Sequence, residues 1–281
     1  DSLTDGVERV SERLLHPEVN DTEPELCAEG LGDHVLTDME QLADSTALGL
    51  LDLERVGQIV GGMRDIKSLL TDVSFVDPAE GIRFRGMSIP EVLKALPKAK
   101  GGKMPLVGGL FYLLLIGEVP TKEQALEVEA EWAKRANVPD YVFKMLKTMP
   151  KETHPMTLFS QAVLALQNDS VFAAKYHSMK KDQYWEAALE DSLDLTAKLP
   201  IIAAYIYRMK FFGETSKPKY NPKQDYGLNF ARMMKVSDKK GYADLARLYF
   251  ILHSDHESGN VSAHTMHLVG SALSDPYLAF S

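Results

Sequence analysis

Four histidines, His253, His256, His264 and His267, fall close together around the polar stretch Glu257-Ser258-Gly259-Asn260. Imidazole changes charge near neutral pH, so it can donate hydrogen bonds to an anion or pass a proton. Asp255 and Glu257 flank His256 directly. Three kinds of chemistry fit this pattern. Packing and capping is the ordinary role of a single histidine in a helical protein. Zinc ligation is a second reading, since the spacing makes two His-x-x-His pairs. It is the weaker one, because no His-Glu-x-x-His order occurs and no cysteine lies nearby. The third is a turn that holds a small anionic ligand.

The elements on either side would position such a turn. The run 245–252 is apolar at Leu245, Leu248, Tyr249 and Leu252, a spacing that predicts a helix burying that face. Gly259 and Asn260 are residue types that let a helix end in a left-handed turn. Ser262 is placed to cap a second helix running through Leu268 and Ala272.

Composition bounds the classes. The chain has 281 residues, 45% hydrophobic and 25% charged, ordinary for a globular protein with a sizeable core. The longest apolar run, 110–116, is far below the ~20 residues that span a bilayer, which predicts a buried helix and no membrane span. The single cysteine, Cys27, excludes an internal disulfide and fits a reducing interior. The chain begins with Asp1 rather than Met and shows no Arg-rich leader, so a processed or partial chain is expected. Charge is uneven. Residues 1–54 hold 15 Asp and Glu against two Arg, an acidic excess larger than the whole chain's net of −9. The remainder is mildly basic and suits a polyanionic small ligand. No clustered Lys/Arg face with interleaved aromatics points to nucleic acid.

Along the chain, 1–54 reads as an acidic arm, and 55–281 as one helical domain. Residues 52–70 read as a helix broken at Gly61-Gly62, with Arg64 just beyond. Residues 73–84 suggest a small hairpin, with Arg83 and Arg85 on its solvated face. Ser88 and Glu91 form a capping box, and Thr121 caps a helix whose Val128 and Trp132 are core. Two long apolar helices follow, at 155–166 and 182–199, with Pro200 kinking or dividing the second from 201–211. They bury more than one face, as central helices or subunit contacts do. Lys239-Lys240-Gly241 reads as a turn into the histidine-bearing region. The fold class is all-α with one small β-hairpin.

The segment HSDHESGNVSAHTMHLVGSALSDPYLAF closely resembles the corresponding motif of the citrate synthases, of the eukaryotic mitochondrial type. VGGMRDIKSLL (60–70), DPAEGIRFRGMSIPEVLKALPKAKGG (77–102), HPMTLFSQAVLALQNDS (154–170) and YWEAALEDSLDLTAKLPIIAAYIYR (184–208) resemble that family in the same order. The resemblance implies the family's multi-helical large domain without its small domain. It implies condensation of acetyl-CoA, bound as a substrate rather than a permanent cofactor, with oxaloacetate. By motif, His256 is the residue that orients oxaloacetate and Asn260 lines the same pocket. Ser262 orients the catalytic histidine of a further loop, and Arg64 contacts coenzyme A phosphates. Lys181 stands near the family's second coenzyme A contact, and no metal is implied. A homodimer in the mitochondrial matrix is expected.

The family's Gly-Pro-Leu-His-Gly and Gly-Tyr-Gly-His loops, its catalytic aspartate and several arginines do not occur in these 281 residues. The family's proton-transfer residues are therefore expected beyond Ser281, in a C-terminal third or in a separate chain that supplies it. These residues alone are expected to be inactive. The alternative expectation is a non-catalytic scaffold or assembly subunit of the same descent. A coenzyme A-binding module alone is a third.

Overall fold

The computed structural model describes residues 73–281 apart from Pro78, Asp238 and 257–260. The acidic arm, the 52–70 helix with Arg64, and Asn260 therefore lie outside the described residues.

The fold starts with a three-stranded antiparallel sheet, β1 (Ser74–Asp77), β2 (Gly81–Phe84) and β3 (Met87–Ser88), in that spatial order. The expected hairpin is thus extended by a third short strand. Asp77 closes the first turn by accepting from the N–H groups of Ala79 and Glu80 at 2.7 Å each. Arg85 and Gly86 close the second with φ of 47° and 77°, both left-handed, as a two-residue hairpin turn of the I′ kind requires. The expectation for Arg85 needs correcting. Its guanidinium donates to the Leu114 carbonyl through Nε at 3.2 Å and Nη2 at 2.7 Å. A helix's last carbonyls lack partners of their own, so this cation is drawn off the solvent face and ties the sheet to α2. Arg83 stays at the surface, paired with Glu80.

Helices follow almost without interruption. They are α1 (Ile89–Ala95), α2 (Val107–Ile116), α3 (Lys122–Arg135), α4 (Asp140–Thr148), α5 (Pro155–Ala165) and α6 (Val171–Lys175). Then come α7 (Tyr184–Phe212), α8 (Tyr226–Met234), α9 (Lys240–Leu252), α10 (Val261–Ser271) and α11 (Pro276–Phe280). Among the described residues, no helix is long and apolar enough to cross a membrane. The caps at Ser88 and Thr121 are formed as expected: Glu91 accepts from the Ser88 N–H at 2.8 Å, and Gln124 accepts from the Thr121 N–H at 2.8 Å. Trp132 is core, 1% exposed. The largest cluster joins Val142 and Leu146 of α4, Leu158 and Val163 of α5, and Ile202 and Tyr205 of α7. Tyr277 of α11 enters the same cluster, so the carboxy-terminal segment is built into the core.

Two expectations need revising for physical reasons. Of the kink or division expected at Pro200, the division does not occur; α7 runs for 29 residues through it. Proline lacks an N–H, which leaves the carbonyl four residues back, that of Thr196, without its helical donor. The Tyr226 hydroxyl reaches over from α8 and donates to that carbonyl at 2.8 Å. The second is the buried face of α9. Leu245, Tyr249 and Leu252 are 59%, 57% and 39% exposed, while Ala243, Ala246, Arg247 and Ile251 are buried. Both stripes carry apolar residues, and the small-residue stripe is the one that fits against α8. At the ends of this region, α9 already begins at Lys240, and Ser262 lies in the first turn of α10 rather than before it.

Replacing Tyr226 with Phe keeps the ring and removes only the donor, leaving the Thr196 carbonyl without a partner. We predict a loss of about 1 kcal/mol, read as a lowered urea midpoint with unchanged slope; an unchanged midpoint would show that α7 does not need the bond.

Candidate functional site

The histidines fall at the end of α9, just beyond it, and on α10. His253 caps α9 and stacks its ring on Tyr249, with centroids 4.1 Å apart. His253 Nδ1 lies 2.9 Å from the Tyr249 carbonyl, so that nitrogen carries the proton if it donates there. His256 follows at the surface, with its ring exposed. Ser262 is also exposed, in the opening turn of α10 on the other side of 257–260. His264 is buried on α10 and His267 is half-buried. The four histidines are thus split between two exposed residues before 257–260 and two less exposed residues on α10. Among the described residues, no group of three or more potential ligands could hold a metal ion.

Lys181 stands apart, exposed in a short 3-10 turn (Lys181–Gln183) before α7. Beside that turn Tyr184 stacks on Tyr176, with Phe172 edge-on to Tyr184 and tilted against Tyr176. Phe172 and Tyr176, with His177, line one side of a cavity of about 260 Å³ whose other side is Leu273, Ser274 and Asp275. A second, open cavity of about 440 Å³ lies against α1, lined by Gly86, Met87, Glu91 and Lys94. Neither includes His256. Of the five expected site residues, the structure places His256 before and Ser262 after residues 257–260 and Lys181 elsewhere, with Arg64 and Asn260 outside the described residues.

Beneath α9 lies a buried ionic cluster that local sequence patterns did not reveal. Arg247, 3% exposed, donates to both oxygens of Asp225 through Nε at 2.9 Å and Nη2 at 2.8 Å, and to Asp244 through Nη1 at 2.7 Å. Asp225 also caps α8, accepting from the Leu228 N–H at 3.0 Å. Asp244 accepts from the N–H groups of Lys103 at 3.0 Å and Met104 at 3.2 Å. Burial pushes the Asp244 carboxyl up, but those N–H donors and the guanidinium outweigh it and hold it below the ordinary range. Glu129 of α3 completes the group, accepting from the Gly108 N–H at 3.0 Å and from the Tyr226 N–H. Two glycines make room: a Cβ at Gly227 would sit 2.4 Å from Arg247 Cγ, and one at Gly102 would sit 2.6 Å from its Nη1. The available signal was a single arginine inside an apolar helical run, three residues after an aspartate.

With the geometry described, the chain can be compared with known proteins. Residues 62–281 match the family model for the citrate synthase C-terminal domain. The all-helical architecture and this match define the class: the chain belongs to the citrate synthase family. It is 51% identical over 227 residues to the probable mitochondrial citrate synthase of Caenorhabditis briggsae, covering 80% of this chain and 48% of that protein. It is 53% identical to the mitochondrial citrate synthase of Kajikia audax, again over 80% of this chain and 48% of that protein. The chain thus spans about half the length of the curated relatives it matches. Among solved structures, the citrate synthase of Pyrobaculum aerophilum superposes with a TM-score of 0.66 at 26% identity, over 79% of this chain and 53% of that one. The enzyme of Thermoplasma acidophilum, solved with carboxymethyl coenzyme A and oxaloacetate, gives 0.63 at 20% identity over 78% and 53%, a likeness of fold.

Burial dominates Glu129 and pushes its carboxyl up to about 7, against the pull of the Gly108 and Tyr226 N–H groups. A raised carboxyl favours the fold while protonated. Its contribution is complete below the unfolded value near 4.5 and is lost as pH rises through about 7. We predict that unfolding free energy falls by about 2–3 kcal/mol over that interval. Glu129→Gln should remove most of this slope in denaturant titrations run at successive pH values; an unchanged slope would assign it to another group.

Proposed function

We propose that this chain supplies the oxaloacetate-orienting part of a citrate synthase, which condenses acetyl-CoA with oxaloacetate and hydrolyses the citryl-CoA formed. The observation that carries this reading is His256 standing exposed just beyond α9, within a chain half identical to mitochondrial citrate synthases over four-fifths of its length.

The chemistry sets what each group must do. A thioester methyl is a very weak acid, so a carboxylate base removes its proton while a donor stabilises the enolate oxygen. The enolate carbon then bonds to the ketone carbon of oxaloacetate, whose oxygen takes up a proton. Water finally cleaves the thioester, giving citrate and the coenzyme A thiol. His256 donates an imidazole N–H to the keto acid and fixes its orientation, with Asn260 beside it. Ser262 orients a histidine of the loop that brings the proton-transfer groups, which another part of the polypeptide or a separate chain supplies. Arg64 and Lys181 pair with coenzyme A phosphates, as cations at a polyanionic ligand do.

Residues 55–281 serve as the large domain and 1–54 as an acidic arm. The protein works as a homodimer, consistent with apolar side chains left exposed at Met156 and Leu164 of α5 and at Phe211 and Phe212 of α7. Its place is the mitochondrial matrix, in keeping with the names of its relatives.

Titration calorimetry tests the binding half of this reading: His256→Ala should weaken oxaloacetate binding at least about tenfold, the equivalent of ~1.4 kcal/mol. Equal affinity in the variant would remove His256 from the site. Following thiol release from acetyl-CoA and oxaloacetate tests the rest. These 281 residues alone should show no turnover, and activity should appear when a polypeptide bearing the two further histidine loops is added. Turnover by the 281 residues alone would overturn the division of roles, and no turnover in the reconstituted mixture would favour the scaffold.

A further inference from the structure

His256 is only as well placed as the helix that leads to it. The hold on α9 is one-sided. Its outer stripe, Leu245, Tyr249 and Leu252, is exposed, and its inner stripe meets α8 through Ala243 and Ala246. Further along, Ile251 packs into the cluster of Phe84 and Leu113, and Phe250 sits edge-on to Tyr226 and Phe230. Apolar contacts of this kind give area more than direction, so they fix a helix about its own axis less sharply than hydrogen bonds do. Each residue of slippage turns a helix by about 100° and shifts it 1.5 Å, which would swing the exit of α9 away from its present heading. The directional bonds that tie this stripe to other elements are those of Arg247 to Asp225 and of the Lys103 and Met104 N–H groups to Asp244, with the Arg247–Asp244 bond inside α9 joining the two.

We propose that Arg247 is a positioning residue for the keto-acid site: its guanidinium, clamped between Asp225 and Asp244, sets the rotation and height of α9 and so the place where His256 presents its imidazole. The inference rests on the reading of His256 given above, but its structural half stands without it. A planar fork is needed, because the bonds to Asp225 are two-pronged and the glycine-lined slot at Gly102 and Gly227 fits a flat group. Lysine has the charge without the fork.

The test uses the full chain with Arg247→Lys and Arg247→Met, read by hydrogen exchange, by the His256 imidazole resonance and by oxaloacetate titration. In Arg247→Lys, exchange in 248–256 should rise at least tenfold while 158–163 and 201–206 in the main core stay within twofold. The His256 resonance should move, and oxaloacetate affinity should fall about tenfold. Arg247→Met should do more of the same, and if it does not fold, Arg247→Lys decides. Exchange that rises evenly through the chain, a silent His256 resonance, or failure of Arg247→Lys itself to fold would each overturn the proposal by making Arg247 a residue of general stability. Should the unaltered chain not bind oxaloacetate at all, the reading of the site fails, while exchange and resonance still decide the role of Arg247.

Discussion

A guanidinium shut away from water must find acceptors for its N–H groups inside the protein, and the acceptors must already be there when the helices close. Arg247 meets that demand with two carboxylates from different parts of the chain, each held by backbone N–H groups of its own. Glu129 extends the same logic to the starts of α2 and α8. Five segments therefore converge on a few polar atoms: α3, the start of α2, the 102–104 loop, the start of α8 and the middle of α9. Breaking one partner would strand a charge in the interior, which is far more costly than losing a surface pair. Helix arrangement in this half of the molecule depends on that constraint more than on any apolar contact.

The other half is organised by α7. A helix of 29 residues carrying an internal proline would ordinarily bend or stop there. The tyrosine that donates to the freed carbonyl lies next to Asp225, so its backbone N–H serves Glu129 while its hydroxyl serves α7. One residue thus links the ionic cluster to the long helix. The apolar core of α4, α5, α7 and Tyr277 then packs against a helix whose course is already fixed.

What the sequence discloses follows the range of the interaction concerned. The capping boxes at Ser88 and Thr121 and the burial of Trp132 are local and periodic, and they read correctly. The all-helical class and the family motifs likewise come through. The division allowed for at Pro200 does not occur, because the compensating donor belongs to a different helix. The face of α9 reads wrongly because two adjacent stripes are both apolar, and contacts remote in sequence, of Arg247 with Asp225 and of Asp244 with the 103–104 backbone, choose between them. Arg85 is misjudged for a related reason: alternation in a strand says which side it leaves from, while its left-handed φ and the Leu114 carbonyl decide where it goes.

The slot around Arg247 also restricts how this sequence can drift. At Gly227 a methyl group would collide with the arginine's own stem, and at Gly102 with the tip of its guanidinium. An alanine at Gly227 requires the arginine stem to move or shrink, and one at Gly102 must also displace the Asp244 carboxylate, 2.7 Å away. Exchanging the arginine in turn leaves the partly buried Asp225 and Asp244 without their counter-charge. The five positions, Gly102, Gly227, Asp225, Asp244 and Arg247, are consequently coupled: a change at one lowers stability unless the others change with it.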